Sequence, residues 1–337
     1  MTPDSESDSL PPALAALLSG DAAAARLAVG LAAPDLRPWL AGNALPGVWS
    51  FTGPEAGPHV VVVALMHGNE IGGAVLLERW LRAGLRPARG RLSLVFANLE
   101  AYARFDAEDP TASRFLDEDM NRLWDEETLE GGRRSSELRR ARVLRPVFDS
   151  ADVVLDLHSM LWPGSPLLLC GQAPRAAQLG RRLGTPALAV TDEGHAGGRR
   201  LLDYAPFCVA GGQRTAVLLE AGSHWEPATV VQMAASAARL LRLHGSVAPD
   251  HPALPAAEPC PPGRLAEVTW TVTAASNSFA FLRPFRGGQV IPRRNTLIAL
   301  DGEMEIRTPH DDCLLVMPNL RVGRGQTAVR LARFAPG

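Results

Sequence analysis

The stretch HVVVVALMHGNE, residues 59–70, decides the fold of this 337-residue chain. Its first eight residues, 59–66, form a short, continuous β-branched run, which is typical of a strand buried on both faces of a sheet. The stretch that follows, IGGAVLLERWLRAG (71–84), has apolar residues at helical spacing and ends near a glycine. A buried strand followed by a helix predicts the beginning of an α/β unit.

The same alternation continues along the chain. Apolar runs predict further strands at 91–98, 151–158, 166–171, 187–190 and 215–220, and helical patterns cover 136–148, 173–183 and 226–244. We therefore predict an α/β domain with a mixed, largely parallel sheet and helices on both faces. In such sheets the binding crevice lies beyond the carboxyl ends of the strands, so polar residues that end apolar strands are the first candidates for function.

Changes in composition predict four segments. Residues 1–45 are an amino-terminal extension, and its alanine-rich part, 12–33, predicts surface helices rather than a membrane span because charges interrupt it. Residues 46–250 form the α/β domain, and the proline-rich stretch 251–261 is a semi-rigid linker. Apolar runs separated by turn signals predict a small β domain at 262–337.

The composition excludes several classes of function. A formal net charge of −2 gives no reason to expect a nucleic-acid partner or a membrane-binding surface. All 34 basic residues are arginine, so the chain has neither the lysine of a pyridoxal Schiff base nor that of a phosphate-binding Walker loop. Four widely spaced cysteines and an acidic, polar amino terminus predict reduced thiols and a cytoplasmic location.

Two histidines and a glutamate lie where predicted strands end. His67 and Glu70 follow the first strand three residues apart, with Gly68 permitting a tight turn, and His158 ends the strand 151–158. Two imidazoles and a carboxylate form a ligand set that catalytic zinc sites use. An H-x-x-E pair is also frequent by chance, so the spacing alone leaves a metal site and a chance pair as alternatives.

Two further features carry polar side chains. Glu220 ends an apolar strand, where poor solvation raises the pKa of a carboxyl and suits it to proton transfer. A helix N-cap or an arginine partner is the alternative interpretation. The loop 113–122 contains Arg114, Asn121 and Arg122, which suit an anionic substrate, although a solvated charged loop has the same composition.

In their order along the chain, four motifs resemble those of the succinylglutamate desuccinylase/aspartoacylase family, a branch of the zinc carboxypeptidase-like superfamily. They are HGNE (67–70), SRFLDEDMNRLWD (113–125), DLHS (156–159) and LLEAG (218–222). The resemblance covers about residues 45–335. It implies that family's fold, an α/β catalytic domain followed by a smaller carboxyl-terminal domain.

The resemblance implies a metal site and a base. His67, Glu70 and His158 would hold one Zn²⁺ per chain. Glu220 would be the general base that activates the attacking water and later protonates the leaving amine.

The resemblance also implies substrate contacts and a reaction. Arg114 would polarise the amide carbonyl, and Asn121 and Arg122 would bind a substrate carboxylate. The expected activity is zinc-dependent hydrolysis of the N-acyl bond in a small, carboxylate-bearing molecule such as an N-acyl amino acid. A metallocarboxypeptidase acting on short peptides and a non-catalytic binding homologue are the alternatives. The acyl group, the amine product and assembly into a homo-oligomer stay open.

Overall fold

A computed structural model of the chain describes residues 10–19 and 27–336, which fall into two compact units. The larger unit comprises Val29–Ser159 and Pro166–Leu265. The smaller unit comprises Met160–Ser165, residues 266–336 and the described residues before Val29. Residues 1–9 and 20–26, and with them part of the predicted extension and its predicted helices, lie outside the described residues.

The helices and strands follow one another along the chain in a regular alternation. The helices are α1 (Pro12–Ser19), α2 (Ile71–Arg82), α3 (Leu99–Tyr102), α4 (Glu126–Glu130), α5 (Ser136–Asp149), α6 (Pro174–Leu183), α7 (Ala205–Cys208) and α8 (Pro227–Leu243). The strands are β1 (Val48–Thr52), β2 (Glu55–Ala64), β3 (Arg89–Phe96), β4 (Val153–Met160), β5 (Leu167–Leu169), β6 (Leu188–Thr191), β7 (Thr215–Ser223), β8 (Arg264–Thr273), β9 (Phe279–Phe281), β10 (Val290–Ile291), β11 (Leu297–Asp301), β12 (Met304–Arg307), β13 (Cys313–Val316) and β14 (Thr327–Phe334).

Within the larger unit, the strands lie in the order β1-β3-β2-β4-β7-β5-β6. Strand β2 pairs in parallel with both β3 and β4, and β5 pairs in parallel with β6. Antiparallel pairing joins β1 to β3 and β5 to β7. The predicted α/β fold with a mixed, largely parallel sheet is confirmed, whereas strand β1 was not predicted.

The register of β2 and β4 positions the candidate site. Val60–Ala64 of β2 are buried, and Val63 lies opposite Asp156 of β4. Because the two strands are parallel, their carboxyl ends meet at the same edge of the sheet. The turn after β2 and the last residues of β4 are therefore close in space.

Helix α2 packs tightly beside these two strands. A Cβ atom added to Gly73 would lie 2.9 Å from the Ala64 Cβ and 3.3 Å from the Leu157 Cβ, so a glycine lets the helix approach the sheet closely. Leu77 and Trp80 of α2 are buried in the core of the larger unit. Burial of each such large side chain contributes roughly 1.5–3 kcal/mol.

The smaller unit is mainly antiparallel. Strands β8, β14, β13 and β10 lie side by side, and β9, β11 and β12 form a three-stranded sheet. Its core includes Ile298, Val329 and Leu331. The predicted small carboxyl-terminal β domain is thus part of the fold. In the part of the chain that the structure describes, no helix is both long and apolar enough to cross a membrane.

Candidate metal centre

The turn that leaves β2 brings His67 and Glu70 onto the same side. Leu65 has a left-handed φ of 59°, and the Glu70 main-chain N–H donates to the His67 carbonyl at 3.2 Å. Glu70 occupies the N-cap position of α2, but its side chain makes no capping hydrogen bond. Its carboxylate is therefore directed to other partners.

Gly68 lets a distant loop approach this turn. A Cβ atom at this position would lie 2.5 Å from the Ser113 carbonyl oxygen and 2.5 Å from the Tyr102 nitrogen, which leaves no room for any side chain. The Gly68 N–H donates to the Arg114 carbonyl at 3.0 Å. The glycine of HGNE thereby places the loop with Arg114 beside His67.

Three donor side chains converge at the strand ends, and we call them the His–Glu–His cluster: His67, Glu70 and His158. One ligand atom from each lies within 4.8 Å of the others, and all three residues are buried. His67 Nδ1 lies 2.7 Å from Glu70 Oε1, and His158 Nδ1 lies 3.3 Å from Glu70 Oε2. The pair in the turn and the strand-end histidine, 88 residues further on, thus meet around one point.

The outer nitrogen of each imidazole faces an aspartate. His67 Nε2 lies 2.9 Å from Asp119 Oδ1, and His158 Nε2 lies 2.9 Å from Asp156 Oδ2. Each imidazole thus lies between two carboxylates, with Glu70 at Nδ1 and an aspartate at Nε2. A cation bound between the two Nδ1 atoms and Glu70 would leave the Nε2 protons to the aspartates. The donor set therefore fits a bound cation.

The electrostatics of the cluster also favour positive charge. Burial opposes ionisation of Glu70, but the charges of His67 and His158 hold the pKa of its carboxyl well below the ordinary value. Burial likewise opposes protonation of His158, yet Asp156 and Glu70 raise its pKa well above the ordinary value. The surrounding carboxylates therefore stabilise a positive charge at this point, whether a proton or a metal ion carries it.

Arg114 lies at the open side of the cluster. Its Nη1 lies 3.2 Å from Glu70 Oε1, and its Nη2 lies 3.0 Å from His67 Nε2 and 3.6 Å from Asp119 Oδ2. The Arg114 side chain is 37% exposed, far more than the buried cluster beside it. A partly exposed guanidinium at this place can contact a bound ligand.

Asp119 is a component that the sequence analysis missed. Despite burial, the charges of His67, Arg122 and Arg114 keep the pKa of its carboxyl far below the ordinary value. Its Oδ1 also accepts a hydrogen bond from the Asn121 N–H at 2.8 Å. Only chemistry could have pointed to Asp119 in the sequence, because a histidine at a metal site needs a hydrogen-bond acceptor for its second nitrogen.

Asn121 and Arg122 lie next to the cluster, but most of their polar atoms already have partners. Asn121 Oδ1 accepts from the Leu201 N–H at 2.8 Å, and its Nδ2 lies 3.5 Å from His158 Nε2. Arg122 Nη1 donates to the Asn121 carbonyl at 2.7 Å, and its Nη2 lies 3.5 Å from Asp119 Oδ2. These contacts hold the 119–122 turn against the centre.

Glu220 lies near the carboxyl end of β7, opposite Leu167 of β5. It is 6% exposed, and its Oε2 is buried with no hydrogen-bond partner among the described residues. Burial raises the pKa of this carboxyl to about 8, while the positive charge of His158 opposes the shift. The N-cap residue of the following helix α8 is Glu226, so Glu220 does not cap it. A buried carboxyl with a free oxygen is suited to proton transfer.

Ser159 contacts the His–Glu–His cluster, and His224 contacts Ser159. The sequence analysis gave neither residue a role. The Ser159 main-chain N–H donates to Glu70 Oε2 at 2.8 Å, and its hydroxyl lies 2.7 Å from His224 Nδ1. Burial lowers the pKa of His224 to about 4, so the imidazole is neutral near pH 7. The sequence offered only a histidine in a loop four residues after Glu220.

The fold and the cluster together define a class. A largely parallel α/β sheet that gathers two imidazoles and a carboxylate at its strand ends is typical of hydrolases with a metal at the sheet edge. Residues 56–242 match the succinylglutamate desuccinylase/aspartoacylase catalytic domain, and the chain belongs to that family. The predicted family membership is confirmed.

Individual relatives match shorter parts of the sequence. An aspartoacylase of Xenopus tropicalis is 29% identical over 109 residues, which are 30% of this chain and 33% of the relative. A protein named probable aspartoacylase of Parasynechococcus marenigrum (strain WH8102) is 38% identical over 133 residues, 37% of this chain and 41% of the relative. The match thus spans less than half the length of either relative.

The solved structures support the fold. The succinylglutamate desuccinylase of Vibrio cholerae superposes with a TM-score of 0.66 at 19% identity, covering 86% of each chain. At this identity the likeness establishes the common architecture and leaves the substrate undetermined.

Proposed function

We propose that this chain is a zinc-dependent hydrolase of the N-acyl bond in a small, carboxylate-bearing substrate such as an N-acyl amino acid. One observation carries the proposal: the inner nitrogens of two buried imidazoles and the Glu70 carboxylate face one another, while an aspartate oxygen lies 2.9 Å from each outer nitrogen. Imidazole nitrogen and carboxylate oxygen in a three-ligand set are what catalytic zinc prefers. Zn²⁺ at such a site polarises a carbonyl and lowers the pKa of water.

Glu220 is the proposed proton carrier. Its buried, unpartnered Oε2 is free to accept a proton from the attacking water, and its raised pKa matches proton exchange near neutral pH. The same carboxyl then gives the proton to the nitrogen of the leaving amine as the amide C–N bond breaks. One carboxyl thus serves both halves of the hydrolysis, which releases a carboxylic acid and an amine.

Arg114 is the proposed stabiliser of negative charge. Its guanidinium lies beside Glu70 and is partly exposed, so one face is available to an oxygen of the substrate. A fixed positive charge at the carbonyl oxygen becomes more favourable as that oxygen gains negative charge during attack. Arg114 therefore polarises the amide carbonyl in this proposal.

Asn121 and Arg122 are the proposed carboxylate contacts. Asn121 Oδ1 is occupied by the Leu201 N–H, which leaves the amide Nδ2 as its available donor. Arg122 is already in contact with Asp119, so a substrate carboxylate would share its guanidinium. The free thiols of Cys170, Cys208, Cys260 and Cys313 support the further proposal of a reducing, cytoplasmic location.

Two measurements on one purified sample test the proposal. Elemental analysis should give one zinc per chain. A panel of N-acetyl and N-succinyl amino acids, with acidic and apolar side chains, should include substrates that release free amine. Short peptides serve as the matched comparison, and their preferred hydrolysis would instead identify a carboxypeptidase. A protein that holds zinc but hydrolyses no member of either set would be a non-catalytic homologue.

A further inference from the structure

The loop that carries His224 is held firmly against the His–Glu–His cluster. Trp225 has a left-handed φ of 62°, a conformation that a bulky side chain rarely adopts, and its Nε1–H donates to the Asn69 carbonyl at 2.8 Å. The imidazole of His224 lies against the Trp225 ring, with centroids 5.0 Å apart. A strained backbone that is fixed from several sides is typical of a functional position.

The hydrogen bond between Ser159 and His224 determines where the histidine proton lies. Within the described part of the chain, His224 Nδ1 is the hydrogen-bond partner of the Ser159 hydroxyl, at 2.7 Å. A buried hydroxyl proton needs an acceptor, so Ser159 donates to Nδ1. Since burial keeps the imidazole neutral, its one proton is then on Nε2.

The Nε2–H of His224 is left as an available donor. Nε2 has no hydrogen-bond partner among the described residues, because the contacts of the ring there are the Ser159 hydroxyl at Nδ1 and the Trp225 ring. The ring is close enough to feel the charges of Glu70, Arg114, His67 and His158. A neutral N–H donor without a partner in the described residues therefore lies near the cluster.

We propose that His224 is a substrate-positioning residue, whose Nε2–H, fixed in that tautomer by the Ser159 hydroxyl, donates a hydrogen bond to an oxygen atom of the bound substrate. This inference rests on the proposed amide hydrolase. It adds a contact that remains uncharged across the working pH range, in contrast to the guanidinium of Arg114.

Two substitutions of His224 separate this role from a structural one. In His224→Gln the amide nitrogen can occupy the place of Nε2, so the donor to the substrate is kept and the contact with Ser159 is lost. In His224→Asn the amide can occupy the place of Nδ1, so the Ser159 contact is kept and the donor is lost. The two variants are matched in polarity and differ in which nitrogen they replace.

The kinetic test uses the N-acyl amino acid that the wild type hydrolyses fastest in the panel. We expect kcat/KM to fall about tenfold in His224→Asn, as for loss of one hydrogen bond, mainly through KM. His224→Gln should restore most of this loss, and the control His251→Asn, in the proline-rich segment, should leave kcat/KM unchanged. The reverse order, with the asparagine variant equal to wild type and the glutamine variant impaired, would show a structural role and overturn the proposal.

A readout independent of activity tests the tautomer. ¹⁵N NMR of the histidine side chains, assigned with the His224→Asn variant, should show a neutral His224 protonated on Nε2 at pH 7, and Ser159→Ala should weaken that preference. An Nδ1-protonated imidazole would refute the inference. If instead no N-acyl amino acid is hydrolysed by the wild type, the proposed function fails while the tautomer result still stands on its own.

Discussion

Two buried clusters of charged side chains in the larger unit differ in how their negative charge is balanced. In the first, which we call the arginine cluster, Arg200 lies between Asp192 and Asp203 and donates four hydrogen bonds of 2.6–3.1 Å to their carboxylates. In the His–Glu–His cluster, two imidazoles and a carboxylate face one another instead. The chain itself supplies the central cation of the arginine cluster, whereas in the proposed function a metal ion would take that place between His67, Glu70 and His158.

The pKa shifts in the two clusters follow the same physics. Burial opposes a charged Arg200, but the two aspartates raise its pKa above the ordinary value, and the arginine carries the charge permanently. At His158, carboxylates raise the pKa in the same way, although imidazole is an ordinary metal ligand as well as a base. The arginine cluster, whose charges are balanced by its own residues, should stabilise the fold, whereas the His–Glu–His cluster is suited to bind an ion. The predictions that follow test this difference.

The largest effect on zinc content and activity is expected when the His–Glu–His cluster loses a ligand. His158→Ala removes one of three proposed zinc donors and leaves Asp156 without its partner. Loss of supporting contacts around a metal already costs about 10–100-fold in affinity, so loss of a ligand should cost more. Elemental analysis should find substoichiometric zinc, and hydrolysis should fall to background. Full zinc content in His158→Ala, with His251→Ala as the control, would exclude His158 as a ligand.

The next effect separates proton transfer from metal binding. Glu220→Gln keeps the shape of the side chain but removes its basicity, so hydrolysis should fall by about 10²–10⁴-fold. Zinc content should remain equal to that of the wild type, because Glu220 lies outside the cluster. If this variant kept nearly full turnover, the base would have to be another group.

A substitution in the arginine cluster should lower the stability of the fold and leave the zinc content unchanged. Arg200→Met would leave two buried carboxylates without their cation, and we expect a loss of about 3–5 kcal/mol in the free energy of unfolding. Urea unfolding measures this loss, with the exposed Arg134→Met as a control near zero. Adding Asp192→Asn and Asp203→Asn to Arg200→Met should recover much of the loss, because no uncompensated charge then remains.

The sequence was sufficient to predict the positions of site residues that lie in or directly after strands. His67 and His158 follow from one rule, since neighbouring parallel strands bring their carboxyl ends to the same edge. Glu220 lies in the predicted apolar strand, which continues to Ser223 instead of ending at Glu220. The antiparallel pairing of β5 with β7 has no local signal in the sequence. The roles of these residues, and of Arg114, Asn121 and Arg122, stay predictions.

The positions of site residues that lie in loops could not be predicted in the same way. Asp119 reaches His67 because the Gly68 turn lets the loop of Arg114 approach, and this depends on a close contact across the fold. His224 reaches Ser159 because the Trp225 side chain binds the Asn69 carbonyl. Neither contact leaves a periodic pattern. A charged loop and a histidine in a loop therefore looked the same as solvated surface.

The smallest expected effect is a shift in the pH dependence, and it tests whether Arg114 and Glu220 interact. Glu220 must be deprotonated to accept a proton, so kcat/KM should fall as the pH drops below its pKa. Burial raises that pKa to about 8, and any positive charge held nearby lowers it. The acidic limb of the pH profile of kcat/KM should therefore have its midpoint at or below pH 8. Arg114 is one such charge, and Arg114→Gln should move the limb upward by up to about one pH unit. A limb that stays in place in Arg114→Gln, measured as kcat/KM from pH 5 to 9, would mean that another group controls it. The variant should also be slower at every pH, but the position of the limb is independent of that loss.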